Sequence, residues 1–189
     1  MNNKTRNIVG VGLFTAIIVV LQLLGGGIKF GTMFSISLVL LPIVVGSAVY
    51  GWYAGAWLGL AFGITVLLTG DAAAFMAVDP LATVAVVIVK GVCCGLFAGL
   101  VFKLLEHSSS VLATMAAAIV CPIVNTGIFL LGCKFFFLET ITEWAALYGF
   151  ENAGKYMIFG LAGINFLIEL GVNIVLAPVI TRLIKLGRK

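Results

Sequence analysis

Long apolar runs separated by short polar or glycine-containing stretches organise this chain of 189 residues. A helix that crosses the ~30 Å hydrocarbon core of a bilayer needs about 20 mostly apolar residues. By that measure the sequence predicts six membrane-spanning helices, the second short enough to tilt or fray, at residues 8–27, 35–50, 52–70, 81–103, 111–133 and 156–184. In lipid, only helices or closed β-barrels satisfy the hydrogen bonds of every backbone group. The runs lack the alternation of apolar and polar residues found in barrel strands, so they predict helices. We therefore predict an all-α six-helix bundle, a single membrane domain over residues 1–189.

Composition agrees with a location in lipid. Hydrophobic residues make up 62% of the chain and charged residues only 10%, and the mean hydropathy is +1.25, far above that of soluble domains. The first run follows Lys4 and Arg6, as a secretory signal peptide would. It is long, lacks an A-x-A-like cleavage site and precedes five further spans, so we interpret it as an uncleaved first helix.

Positive charges in the loops predict the orientation, because cytoplasmic loops carry an excess of Lys and Arg. One side collects Lys4, Arg6, Lys103, Arg182, Lys185, Arg188 and Lys189, whereas the other side has Lys29, Lys134 and Lys155. Both termini are therefore predicted to be cytoplasmic. The sequence pI near 9.0 follows from this topology, and no basic patch interleaved with aromatic residues indicates a nucleic-acid partner.

Residues that would support enzyme chemistry are missing from the sequence pattern. The four cysteines have no metal-binding spacing, and His107 is the lone histidine, too isolated for a metalloprotease or serine protease site. No G-x-x-x-x-G-K-[ST] phosphate loop occurs. We expect no catalytic residue, metal or cofactor, and no ATP hydrolysis by this chain.

Two charged residues, Lys90 and Glu169, lie inside apolar runs, where an ionisable group is costly and is by default a functional candidate. At 1.5 Å per residue, Lys90, Asn125 and Glu169 each lie about 14–20 Å from the outer ends of their helices, near one level. Asn165, Glu169 and Asn173 follow an i, i+4, i+8 spacing and form one polar stripe. These residues predict a polar site shared by the fourth, fifth and sixth spans.

The same residues allow two interpretations. Lys90 and Glu169 could form a structural salt bridge with the asparagines as hydrogen-bond partners between helices, or at least one charge could contact a ligand.

Asp71, in an outer loop after Gly70, is a further candidate for the ligand site. Asp79-Pro80 is typical of a helix N-cap followed by proline at the first helical position. Residues 135–156 form an amphipathic segment, which predicts a membrane anchor or a lid.

Small residues recur at four-residue spacing in the other half of the chain. Gly51, Gly55, Gly59 and Gly63 share one face in and before the third span, and the first span contains Gly12-x-x-x-Ala16. Such faces let helix backbones approach closely in lipid. We therefore predict Gly12, Ala16, Gly55, Gly59 and Gly63 as candidates for docking another membrane protein. The alternative, packing within the bundle, stays open for both spans.

Several of these segments together carry a resemblance to a known family. They are a basic N-terminus leading into Gly12–Ala16, the glycines 25–27, the segment Ser35–Pro42, the turn Tyr50–Gly55, and Asn165 with Glu169 and Asn173. In these segments, and in size and span count over essentially the whole chain, the sequence resembles a substrate-binding S-component of an energy-coupling factor (ECF) vitamin transporter.

That resemblance implies a bacterial cell-membrane protein that binds a vitamin or related micronutrient from outside. It also implies partners, namely one further membrane subunit and two cytoplasmic ATPases. Members of the family dock through A-x-x-x-A motifs in the first helix, whereas Gly12 stands at the first small position here. The family's binding site lies in the outer half of helices 4–6, at the level reached above from Lys90, Asn125 and Glu169.

The resulting hypothesis is capture, closure and delivery. A small polar nutrient is held by Lys90, Asn125, Asn165 and Glu169 and covered by the loops 25–34 and 71–79. If Lys90 is unpaired, it would suit a carboxylate such as that of pantothenate. If Glu169 neutralises Lys90, a neutral ring such as pyridoxine, riboflavin or a modified nucleobase fits as well. A stand-alone carrier or channel using Lys90 and Glu169 as an ion or proton relay is the alternative function, and a scaffold protein is another.

Overall fold

The computed structural model describes the backbone of residues 3–25, 29–30, 34–35 and 38–187, and the side chains of 5–24, 38–163 and 165–185. In chain order the elements are α1 (Asn3–Gly25), β1 (Lys29–Phe30), β2 (Phe34–Ser35), α2 (Leu40–Tyr50), α3 (Trp52–Thr69), α4 (Ala73–Met76), α5 (Pro80–Leu105), α6 (Ser110–Phe136), α7 (Leu138–Leu147), α8 (Ala153–Lys155), the π-helical segment Tyr156–Ala162, and α9 (Gly163–Gly187).

Five helices of the described chain are long and apolar enough to cross a membrane. The candidate spans are Thr5–Leu24, Trp52–Thr69, Pro80–Leu105, Ser110–Phe136 and Asn165–Lys185. The structure therefore confirms a helical membrane bundle with five such helices. The count of six spans and the cytoplasmic termini stay predictions.

α2 is the predicted span that comes out short. It has 11 residues, about 16 Å of helix, and begins at Leu40 rather than at residue 35. Eight of its residues are buried, and five of these belong to the main hydrophobic core together with residues of α3, α5 and α6. Protein thus surrounds most of α2, so its apolar composition reflects burial in the bundle as much as contact with lipid.

A small strand pair precedes α2, where an all-α chain was predicted. β1 and β2 pair antiparallel, with Lys29 opposite Ser35 and Phe30 opposite Phe34. Such pairing satisfies backbone groups where the chain reverses between helices. The predicted covering loop 25–34 falls partly on residues 26–28 and 31–33, which lie outside the described residues.

The glycine face of α3 packs against α5. A Cβ atom added to Gly55 or Gly59 would overlap the carbonyl oxygen of Gly95 or Gly91, and one added to Gly63 would lie 3.0 Å from the Val87 oxygen. Two backbones can approach this closely only where side chains are absent. Because α5 of the same chain occupies this face, the structure favours packing within the bundle over partner docking for Gly55, Gly59 and Gly63.

The end of the bundle near Asp79 is covered by short helices. Asp79 caps α5 as predicted, its Oδ1 accepting hydrogen bonds of 3.0 Å from the amides of Leu81 and Ala82. The predicted amphipathic segment contains α7, which buries Ile141 and Ala145 in a second hydrophobic cluster with residues of α5 and α6. α7 thus packs onto the bundle along this apolar edge.

The predicted last span, 156–184, is interrupted in the structure. Its first part is the π-helical segment Tyr156–Ala162, and α9 begins at Gly163, whose φ of +37° is a conformation that side chains rarely adopt. The helix long enough to cross the membrane is consequently Asn165–Lys185.

Candidate functional site

A cavity of about 260 Å³ lies among α3, α5, α6 and the start of α9. Its wall includes five of the six residues predicted to bind substrate, namely Asp71, Lys90, Asn125, Asn165 and Glu169. Residues that lie up to 98 positions apart in the chain thus surround one space. The remaining candidate, Asn173, is not among the lining residues.

Lys90 reaches the cavity from the face of α5 that also carries Thr83, Val86 and Val87, as expected from helical periodicity. Its ammonium nitrogen lies 5.4 Å from the ring centre of Phe62 and 5.7 Å from that of Phe129. A cation over aromatic faces is attracted by their negative potential. These two rings offset part of the cost of holding Lys90 away from bulk water.

Glu169 belongs to α9 and lines the same cavity as Lys90. No salt bridge joins Glu169 to Lys90 within the described residues. The ion pair found in that part of the chain is between Lys155 and Glu151. The structural salt bridge considered from the sequence is therefore not formed. Both charges instead line a common space that a ligand could occupy.

Asn125 adds an uncompensated acceptor. Its side chain, in α6, is only 8% exposed, and its Oδ1 atom has no hydrogen-bond partner among the described residues. A buried polar atom left without a partner costs about 1–3 kcal/mol. A donor group of a bound molecule in the cavity would recover that free energy.

Asn173 does not belong to the cavity, although it shares the predicted stripe with Glu169. It is 2% exposed, and its Nδ2 atom donates a 2.9 Å hydrogen bond to the backbone oxygen of Glu169. The side chain thus folds back along its own helix, one turn from the cavity. Asn173 is thus the one predicted substrate-binding residue that the structure does not bring into the cavity.

Gln22 is a site residue that the sequence analysis missed. It lies in α1, is 6% exposed, and donates a hydrogen bond from Nε2 to Oδ2 of Asp71; both residues line the cavity. Thr69 also donates to Asp71, at 3.2 Å. Gln22 is a polar side chain in an otherwise apolar run, so the criterion that selected Lys90 and Glu169 could have found it.

Aromatic rings form the wall at the end where α4 and α7 lie. Phe75 of α4 lines the cavity and makes edge-to-face contacts with Phe129, Phe137 and Trp144, at ring distances of 5.6, 5.1 and 5.3 Å. Such pairs stabilise beyond the apolar area that they bury. Phe75 therefore connects the short helices to the site.

The small residues of α1 have different surroundings from those of α3. Gly12 and Ala16 are exposed, and a Cβ atom at Gly12 would meet no described atom within 4 Å. Gly12 also lies in a shallow groove with Ile8, Val11, Tyr50 and Trp57. This face of α1 is therefore accessible to lipid or to another membrane protein.

Comparison with known proteins adds one finding to this geometry. Neither the curated proteins nor the solved structures contain a chain that matches this sequence significantly. The family model described as "ECF transporter, substrate-specific component" matches residues 6–181, which is nearly the whole chain. The protein therefore belongs to the family of ECF transporter substrate-specific components.

Proposed function

We propose that this chain captures one small nutrient from outside in the charged cavity and delivers it inward with an ATPase-driven membrane partner. Its family makes it a substrate-binding subunit of an ECF importer and a multi-pass membrane protein. The observation that carries the proposal is the cavity shared by Lys90 and Glu169 without a salt bridge between them. Charges held at bilayer depth are costly and are typically retained for a ligand or ion.

The proposed contacts define the chemistry of the ligand. Lys90 is a donor and favours an anionic acceptor, whereas Glu169 and Oδ1 of Asn125 accept hydrogen bonds. Because Glu169 does not form a salt bridge with Lys90, a carboxylate-bearing ligand is favoured over a neutral ring. We therefore propose a ligand that carries a carboxylate and at least one N–H or O–H donor.

Closure of the site is proposed to use the helices and loops around the cavity mouth. Phe75 connects α4 to the ring of Trp144 in α7, and the hydrogen bond from Gln22 to Asp71 joins α1 to the loop after α3. A ligand that shifts Asp71 would therefore also shift α1. This link supports a path from substrate binding to the exposed face of α1.

Capture is tested on the protein purified from cells, by native mass spectrometry of the small molecule that it retains. We expect one retained molecule per chain, and a loss of at least about tenfold in retention for Asn125→Leu, because a hydrogen bond to a buried group is lost. Asn173→Leu is the matched control, since Asn173 lies one turn from the cavity and should retain the molecule normally. A wild-type protein without a retained molecule, or equal retention in both variants, would contradict the proposal.

Docking through α1 is tested with Gly12→Leu in proteoliposomes that contain the coupling subunit, the ATPases and ATP. Ligand retention should be unchanged, because the added side chain meets no described atom of the bundle. Coupled uptake should fall by at least about tenfold, because a bulky residue separates closely packed helices. Gly171→Leu, at another exposed position with free space, should leave uptake normal.

Two outcomes would reject this role of α1. One is normal coupled uptake by Gly12→Leu, and the other is equal loss in both variants. Uptake in liposomes that lack the ATPases would instead identify the stand-alone carrier considered from the sequence.

A further inference from the structure

A second and larger space lies beside the charged cavity. It is a groove of about 680 Å³ between α6 and the π-helical segment with the start of α9. Apart from Thr126, its lining consists of glycine and apolar side chains. Ile123, Ile158 and Leu167 on its rim are 47%, 57% and 63% exposed. The groove therefore opens on the side of the bundle and is predominantly apolar.

The groove and the charged cavity are neighbours that share part of their walls. Thr126, Ala162 and Phe166 line both spaces. The shared wall also coincides with the irregular part of the last span, where the π-helical segment ends and Gly163 takes a positive φ. π-Helical turns within helices occur frequently at functional sites. The two spaces therefore adjoin along the wall that Thr126, Ala162 and Phe166 form.

We propose that the groove holds an apolar arm of the same ligand whose carboxylate end lies at Lys90, so that the substrate is an amphiphilic carboxylate. This inference rests on the function proposed above. The charged cavity alone, about 260 Å³, is smaller than the roughly 300–1,000 Å³ of most ligand pockets. The groove supplies the missing volume, and its apolar lining suits an alkyl or similar chain.

Gly127 offers a substitution that fills the groove without touching the charged cavity. It lines the groove but not the cavity, and a Cβ atom there would have no described atom within 4 Å. Gly127→Leu therefore places a side chain in the open space, and leucine is a better helix former than glycine. Gly171→Leu makes the same change at an exposed position of α9 that lines neither space.

The test measures equilibrium binding of N-acetylglycine and N-octanoylglycine to the full chain in lipid nanodiscs, with protein-free nanodiscs subtracted. The two probes share a carboxylate and an N–H donor and differ only in their alkyl arm. We expect N-octanoylglycine to bind the wild type at least about tenfold more tightly, since its longer alkyl arm buries additional apolar surface in the groove. Gly127→Leu should reduce this ratio to within about twofold, and Gly171→Leu should preserve it.

Equal binding of the two probes by the wild type, or a ratio that survives Gly127→Leu, would overturn the inference. So would a phospholipid that is retained by the wild type and lost in Gly127→Leu, because the groove would then hold a membrane lipid. Binding of neither probe would reject the amphiphilic carboxylate. Substrate capture itself is judged separately by the retained molecule and its dependence on Asn125.

Discussion

Replacing Lys90 with methionine is expected to weaken ligand retention by at least about tenfold while leaving the bundle folded and at least as stable as the wild type. Methionine has a similar length without the charge, so it fills the same space beside Phe62 and Phe129. A charge-assisted hydrogen bond to the ligand is worth about 1.5–3 kcal/mol, and the affinity should therefore fall by at least about tenfold. Removing an ionised group from bilayer depth should meanwhile lower the free energy of the unliganded fold.

A structural role of Lys90 predicts the opposite change in stability. If Lys90 neutralised Glu169 in a buried pair, its loss would leave an uncompensated carboxylate and destabilise the protein by about 3–5 kcal/mol. Ligand retention by native mass spectrometry and thermal unfolding of the ligand-free protein separate the two roles. The expected combination is lost retention with an unchanged or higher melting temperature.

Glu169→Gln provides the reciprocal measurement, because it keeps the shape of the side chain and removes only its charge. We expect weaker retention there too, again without loss of stability. Asn173→Leu serves as the control, on the same helix and buried but outside the cavity. Normal retention in both charge variants would remove Lys90 and Glu169 from the binding site.

Gly59→Leu is expected to prevent assembly of the native bundle. A Cβ atom at this position would overlap the backbone carbonyl of Gly91 in α5, and neither helix can yield without losing the neighbouring contacts at Gly55 and Gly63. Overpacking a tight core commonly costs about 1–3 kcal/mol. A clash with backbone rather than with a flexible side chain should exceed that range, so we expect destabilisation of at least about 3 kcal/mol.

The measurement is the yield of monodisperse protein in detergent and its thermal unfolding. Gly12→Leu is the matched control, because it makes the same change on an exposed face with no described atom nearby, and it should purify and melt like the wild type. Gly59→Leu protein that is monodisperse and melts normally would contradict the packing of α3 on α5. The face would then again be a candidate for docking a partner.

The polar site illustrates how much the sequence could predict. Lys90, Asn125 and Glu169 stand out because polar groups are costly in apolar runs, and their depth follows from the rise of a helix. The structure brings all three to one cavity. Asn173 satisfies the same criteria and nevertheless bonds back to its own helix. Spacing along a helix does not determine which neighbouring helix faces a residue. The sequence therefore could not show that Asn125 lines the cavity and that Asn173 does not.

The glycine faces also show what residue spacing alone cannot predict. Small residues at four-residue spacing predict close approach of a helix backbone in lipid, and that holds for α3. Whether the approaching backbone belongs to the same chain is not encoded in the spacing. Gly59 meets α5, whereas Gly12, in a similar pattern, meets no described residue.

The sequence by itself determined that this chain is a helical membrane protein with costly polar groups at one depth, because composition, run length and helical rise are local properties. Its match to the family model places it among the substrate-specific ECF components. Only the tertiary structure decided that α2 is largely buried within the bundle and that Gln22 forms a hydrogen bond with Asp71. It also decided that Lys90 and Glu169 share a cavity without forming a salt bridge, and that an apolar groove adjoins this cavity. These features depend on how each helix is rotated and packed against the others, and that is set by the sum of weak contacts across the whole bundle.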